Sequence, residues 1–263
     1  MLINTVLLFL QSVLPMFVII SLLLSCFTLQ TVSKITLVNV IFISGLAILF
    51  SLTLHQCMER ISVSFDGKGS EFLFSSGFIL IYICSVLLFL LSRNNHFTHV
   101  TKVLASIVFL LVFSLNGSHF TFYLISHWTQ GKTGFEPLLI GIVLALGICV
   151  SVAILLYFLL GYSEKKIHIK TSQYFLLFFS LGQLMQSIAL LQQVDALPLS
   201  YSLWNSNQFI TENSELGQLL GVMFGYETTP SLMQLIVYLA AFIVPVLISH
   251  NHYFTRLTSG DKS

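Results

Sequence analysis

Charge is what this sequence has least of. Asp, Glu, Lys and Arg together make up 8% of its 263 residues, where a soluble domain carries about a quarter. So few charges cannot coat a water-facing surface, which excludes an ordinary soluble enzyme. The net charge of +1 leaves no bulk attraction to nucleic acid, and none is expected as a partner. Cysteine is sparse too. Cys26, Cys57, Cys84 and Cys149 show no C-x-x-C spacing and lie in or at the ends of apolar segments, so they read as small apolar fillers. No Lys or Arg precedes Lys34. The basic head of a secretory signal is therefore missing, and the first apolar run is expected to be a retained span. Nucleotide loops, Gly-x-Ser-x-Gly elbows and His-Glu-x-x-His helices are missing as well, and no enzyme activity is expected.

What is abundant is apolar sequence, 56% of the chain. A spanning helix needs roughly 20 mostly apolar residues, because its backbone must pair internally in the bilayer. Seven stretches qualify: Ile3 to Thr28, Ile35 to Cys57, Phe72 to Ser92, Val103 to Ser126, Leu138 to Tyr162, Tyr174 to Val194 and Ser231 to His250. The expected fold is an all-α membrane protein of seven transmembrane helices, forming one unit over residues 1–263. With the N-terminus outside, the inner segments hold 8 Lys and Arg and the outer ones 3, so the positive-inside rule places the C-terminus in the cytoplasm. The missing targeting peptide and the short chain suit a bacterial inner membrane. The bilayer is the first expected partner, with Lys165, Lys166 and Lys170 available to anionic lipid.

The exterior loop at 195–230 is the longest. It carries Asp195, Glu212, Glu215 and Glu227 and no basic residue, and these dispersed acids read as a plain solvated surface. Ser214 to Phe224 has helical apolar spacing and predicts a short helix lying on the outer membrane face. Pro230 suits the first turn of the last span, at 231–250. Pro15, within the first span, is expected to kink or break it.

Several stretches resemble the high-affinity iron permease family, the oxidase-dependent iron transporters. Phe65-Asp66-Gly67-Lys68-Gly69-Ser70-Glu71 resembles that family's second loop. Phe224-Gly225-Tyr226, then Thr229-Pro230-Ser231-Leu232 and Tyr238, with Pro245-Val246-Leu247 further on, are similar to its pattern entering and leaving the last span. The resemblance covers nearly the whole chain and implies iron transport through an inverted 3+3 helix repeat plus a seventh helix. The halves would be about 1–100 and 101–196. The family signature Arg-Glu-x-x-Glu is changed at both matching places. Gln11, Ser12 and Pro15 stand in the first span, and Asn116, Gly117 and Phe120 in the fourth. A family glutamate late in the sixth span corresponds to Leu190.

No acidic residue lies in the middle of any span, although a strongly hydrated iron ion needs compensating ligands to leave water. The polar groups inside spans define the candidate substrate pathway: Gln11 and Ser12, then Asn116, Ser118 and His119, then Gln183, with Gln186 and Ser187 beside it. Gln11 and Asn116 are expected to face each other between the repeats, or these groups hydrogen-bond between helices and fix packing. His119, Met16 and Met185 form a candidate soft-metal set. Asp66 and Glu71 are candidates for a cation entry point; they also suit a tight turn followed by a helix start. No resident cofactor is expected, only a transported iron or other metal ion. Three functions remain open: a divergent iron permease, alone or with a periplasmic metal-binding or redox partner or a second permease subunit; a non-transporting scaffold or accessory subunit; and a carrier for an uncharged or organic substrate.

Overall fold

Apolar runs of span length fold as helices because only a helix pairs its backbone groups within one segment. The computed structural model describes residues 2–28, 45–54, 61–62, 67–92, 98–130, 135–167, 170–198, 201–212 and 214–259. Within them lie α1 (Leu2–Thr28), α2 (Gly45–Leu54), α3 (Gly69–Ser92), α4 (Thr98–Gln130), α5 (Phe135–Ile167), α6 (Thr171–Gln193), α7 (Glu215–Phe224) and α8 (Leu232–Ser259). Six of them, all but α2 and α7, are long and apolar enough to cross a membrane. The chain is an all-helical, membrane-embedded protein. Most of the expected second span, Ile35 to Cys57, falls outside the described residues, and α2 is its described part.

α1, α3, α4 and α6 share the interior, while α5 and α8 pack on the outside. Val143, Leu155 and Phe158 on α5, and Ile236 and Leu247 on α8, are exposed, as suits helices surrounded by lipid. α3 and α6 run antiparallel along one long seam. Ser75 Oγ meets Ser187 Oγ at 2.6 Å, the rings of Phe89 and Tyr174 lie 5.4 Å apart, and Gln173 Nε2 donates to Ser92 Oγ at 2.8 Å. Lys68 Nζ closes one end of the seam on the Val194 carbonyl at 2.8 Å. α1 and α4 are antiparallel too: Phe9 packs edge-on to Phe120 at 4.9 Å, and Met16 lies beside Gly117.

Two prolines sit inside helices, and neither stops one. α1 continues through Pro15, so of the expected kink or break the break does not occur. One missing N–H does not outweigh a helix packed along its length. It does free the Gln11 carbonyl from its helical partner. In α8, Pro245 does the same to Ala241, and there the Tyr82 hydroxyl of α3 donates to the Ala241 carbonyl at 2.8 Å.

α7 departs most from expectation. Its ends are those of an ordinary helix: Ser214 Oγ caps the Gly217 N–H at 3.0 Å, and Gly225 closes it in the left-handed region at φ 69°. Its position is not that of a helix lying flat on the membrane. α7 enters the bundle and packs on α6 and α1, with Val222 buried in the main core. The contact that seats it is backbone on backbone at Gly182, halfway along α6. A methyl group placed on Gly182 would fall 2.9 Å from the Val222 carbonyl oxygen, 3.1 Å from that of Gly221 and 3.1 Å from the Gly225 nitrogen. Phe224 reaches further, to Phe175 and Phe178. Apolar spacing alone cannot distinguish a helix on the membrane from one inside the bundle; the glycines decide it.

Gly182→Ala is therefore expected to destabilise the protein by ~1–3 kcal/mol, because backbone atoms cannot step aside as a side chain can. Gly147→Ala, which meets nothing within 4 Å, is expected to be neutral or to stabilise by up to about 1 kcal/mol. Thermal unfolding in detergent measures both.

Candidate functional site

The two halves of the bundle differ where α7 enters. On one side, Gly77 of α3 abuts Leu115 of α4 directly. On the other, Gly182 of α6 abuts α7, which touches both α6 and α1. The wedge leaves a cavity of ≈ 310 Å³ between the three helices and the loop beside them. That is the lower end of the usual size range for small-molecule sites. Its polar wall is built from Gln11 of α1, Gln186 of α6, Gln218 of α7, and Glu212, Tyr226 and Glu227 of the loop; Met185 is among its other wall residues.

The loop holds its carboxylates firmly. Glu212 Oε1 accepts from the Thr228 N–H at 2.7 Å and from Thr228 Oγ1 at 2.6 Å. Tyr226 donates to the Ile210 carbonyl at 3.0 Å. Ser231 and Gln234 form a reciprocal capping box at the start of α8, Ser231 N–H to Gln234 Oε1 at 2.7 Å and Gln234 N–H to Ser231 Oγ at 3.2 Å. The same Gln234 donates from Nε2 to Glu227 Oε2 at 2.6 Å. Partial burial, and then the neighbouring charge of Glu212, push the Glu227 carboxyl above the usual carboxylate range, while the Gln234 hydrogen bond opposes them. Two of the four loop acids thus line a half-open cavity, the exposed Glu212 at its solvent side and the half-buried Glu227 further in.

The expected pathway residues divide. Gln11 is exposed to the cavity, with Ser12 half-buried beside it. Asn116 bonds within its own helix. Its Nδ2 turns back along α4 to the Val112 carbonyl at 2.8 Å, and Ser118 Oγ does likewise to Leu115 at 2.7 Å, so both serve their own helix. His119 is exposed and stacks on Phe74 at 4.1 Å. The soft-ligand set has three separate surroundings: Met16 packs by Gly117, Met185 by Gly225, and His119 on Phe74. Among the described residues no three His, Cys, Asp or Glu side chains gather as a metal-holding group. Glu71 stands in the first turn of α3, accepting from Ser70 Oγ at 2.7 Å, and Gly67 makes the preceding turn at φ 84°. Asp66 lies outside the described residues.

Gln183 stands apart. It is 0% exposed, and among the described residues neither Nε2 nor Oε1 has a hydrogen-bond partner. Each such buried, unpaired polar atom costs about 1–3 kcal/mol. Sequence reasoning picked out Gln11 and Gln183 but missed Glu212, Glu227 and Gln218. The available signal was the pair Gly182 and Gly225, where a side chain on either would meet the other's backbone.

In comparisons with known proteins, no family model matches the chain, and no curated protein or solved structure matches it either.

The geometry makes a labelling prediction. In a chain whose native cysteines are replaced, Gln11→Cys is expected to react with a water-soluble thiol reagent roughly tenfold or more faster than Asn116→Cys. Equal rates would mean that the cavity does not reach Gln11.

Proposed function

We propose that the chain is a membrane carrier of the iron-permease type, which moves a metal cation, iron in the first instance, through the cavity beside α7. The observation that carries this reading is the pairing of Glu212 and Glu227 with the amides of Gln11, Gln186 and Gln218 around one space within a bundle of span-length helices. A hard cation leaves water for oxygen ligands, and carboxylates also supply charge. The carboxylates missing from the mid-span motifs are, on this reading, replaced by two on the loop flanking α7. The freed Gln11 carbonyl behind Pro15 adds another oxygen on the same helix.

The inverted repeat is part of the proposal, and three features support it. The helices it would equate, α1 with α4 and α3 with α6, meet antiparallel, as a twofold axis in the membrane plane requires. The contacts α3 with α4 and α6 with α1 exchange under the same operation. The sequence offset that matches Gln11 with Asn116 also matches Gly77 with Gly182, and Phe74-Ser75 with Phe179-Ser180. The excess of Lys and Arg in the expected inner loops supports an outward N-terminus, and with it an outward-facing cavity in a bacterial cytoplasmic membrane. A periplasmic metal-binding or redox partner would then meet the face carrying Glu212. The three amides also suit an uncharged hydrogen-bonding solute, and the experiment below separates the two readings.

Iron uptake is measured in cells lacking their own high-affinity iron permeases and expressing this chain alone. Saturable uptake is expected, falling roughly tenfold or more in Glu227→Gln and in Glu212→Gln. Cation binding needs the ionised carboxylate, and Glu227 is raised. Uptake should therefore fall, as pH drops, at a higher pH than an ordinary glutamate would give, and Glu227→Gln should lose that limb. No uptake at verified membrane expression contradicts the self-sufficient carrier. Uptake indifferent to both glutamates contradicts the cation site and favours an uncharged substrate.

A further inference from the structure

We propose that the middle of the α3–α6 seam is an inner binding station for the transported cation, with Gln183 as its ligand and Ser85 further along the seam on α3, closed in this structure. The inference rests on the carrier reading and adds a second site to it. The seam is pinned by Ser75 with Ser187 towards one end and by Ser92 with Gln173 towards the other. The antiparallel register between those pins places Gln183 and Ser85 in the stretch between them. Both residues are 0% exposed, and among the described residues Gln183 Nε2, Gln183 Oε1 and Ser85 Oγ have no partner.

A packing role predicts the opposite. The polar groups that hold this seam together are bonded across it, as Ser75–Ser187 and Gln173–Ser92 are. Gln183 is kept at a cost and without a bond, which is the pattern of a group whose partner is a ligand. Its position suits that role. Gly182, one residue before it, and Gln186, one turn on, both line the outer cavity. Gln183 is thus the next amide inward on the same helix. Its Oε1 offers a neutral, hard oxygen to a cation that keeps part of its water, while Nε2 and Ser85 Oγ can bond the retained waters. A neutral ligand set binds weakly enough to release, as conduction requires.

The test uses Gln183→Leu and Gln183→Met in the full chain, with iron uptake in the same cells and thermal unfolding in detergent. Since neither amide atom has a partner, Tm is expected to hold or rise, while uptake falls roughly tenfold or more; Ser85→Ala should reduce uptake by a smaller factor. Uptake close to that of the unaltered chain overturns the inner station and leaves the carrier reading standing. A lowered Tm in both variants shows a structural partner for Gln183 and overturns it as well. If the unaltered chain takes up no iron, the carrier reading falls, and the station falls with it.

Discussion

The arrangement depends on one contact, the seat of α7 on the backbone at Gly182. Membrane helices gain little from burying apolar surface against one another, since lipid is equally apolar, so close packing decides which elements come together. Glycine permits the closest packing of all. Gly182 receives the α7 backbone, and Gly225 returns the chain in a left-handed conformation next to it. Without that approach α7 would have no place between α1 and α6, and the cavity would lose one wall.

The polar features follow from the same contact. Because α7 dips in and comes back, the segments on either side of it meet. Glu212, before the helix, binds Thr228, after it. Glu227 is drawn to Gln234 at the head of α8. Two acids distant from any span centre in sequence thereby line a half-open cavity beside α7. Gln11 joins them from a helix continuous through Pro15. On the proposed reading, these oxygen donors take the place of the mid-span carboxylates that the chain lacks.

Six of the seven expected spans were legible because their signal is local: a long apolar run has few alternatives in a bilayer. The turn at Gly67 and the extent of α7 were legible for the same reason. The depth of α7 was not, because it is set by Gly182, which is far away in sequence. The roles of the amides were not legible either. Gln11 and Asn116 look equivalent in sequence, yet Asn116 bonds its own helix at Val112 while Gln11 opens to the cavity. Which one a helix keeps depends on what stands opposite, and opposite Gln11 stands the wedge. Likewise Pro245 signals a lost hydrogen bond, but only the tertiary structure shows Tyr82 supplying the replacement.

The most direct test of this account is a crosslink that reports the depth of α7. The rings of Phe178 on α6 and Phe224 on α7 lie 5.6 Å apart. Cysteines at these two positions, in a chain lacking its native cysteines, would be treated in native membranes with a short bifunctional thiol reagent. Cysteines at Ser75 and Ser187, whose hydroxyls meet at 2.6 Å, serve as the control. The account predicts that both pairs crosslink. A crosslinked control with an unreacted Phe178–Phe224 pair would place α7 outside the bundle and remove the cavity on which the functional reading stands.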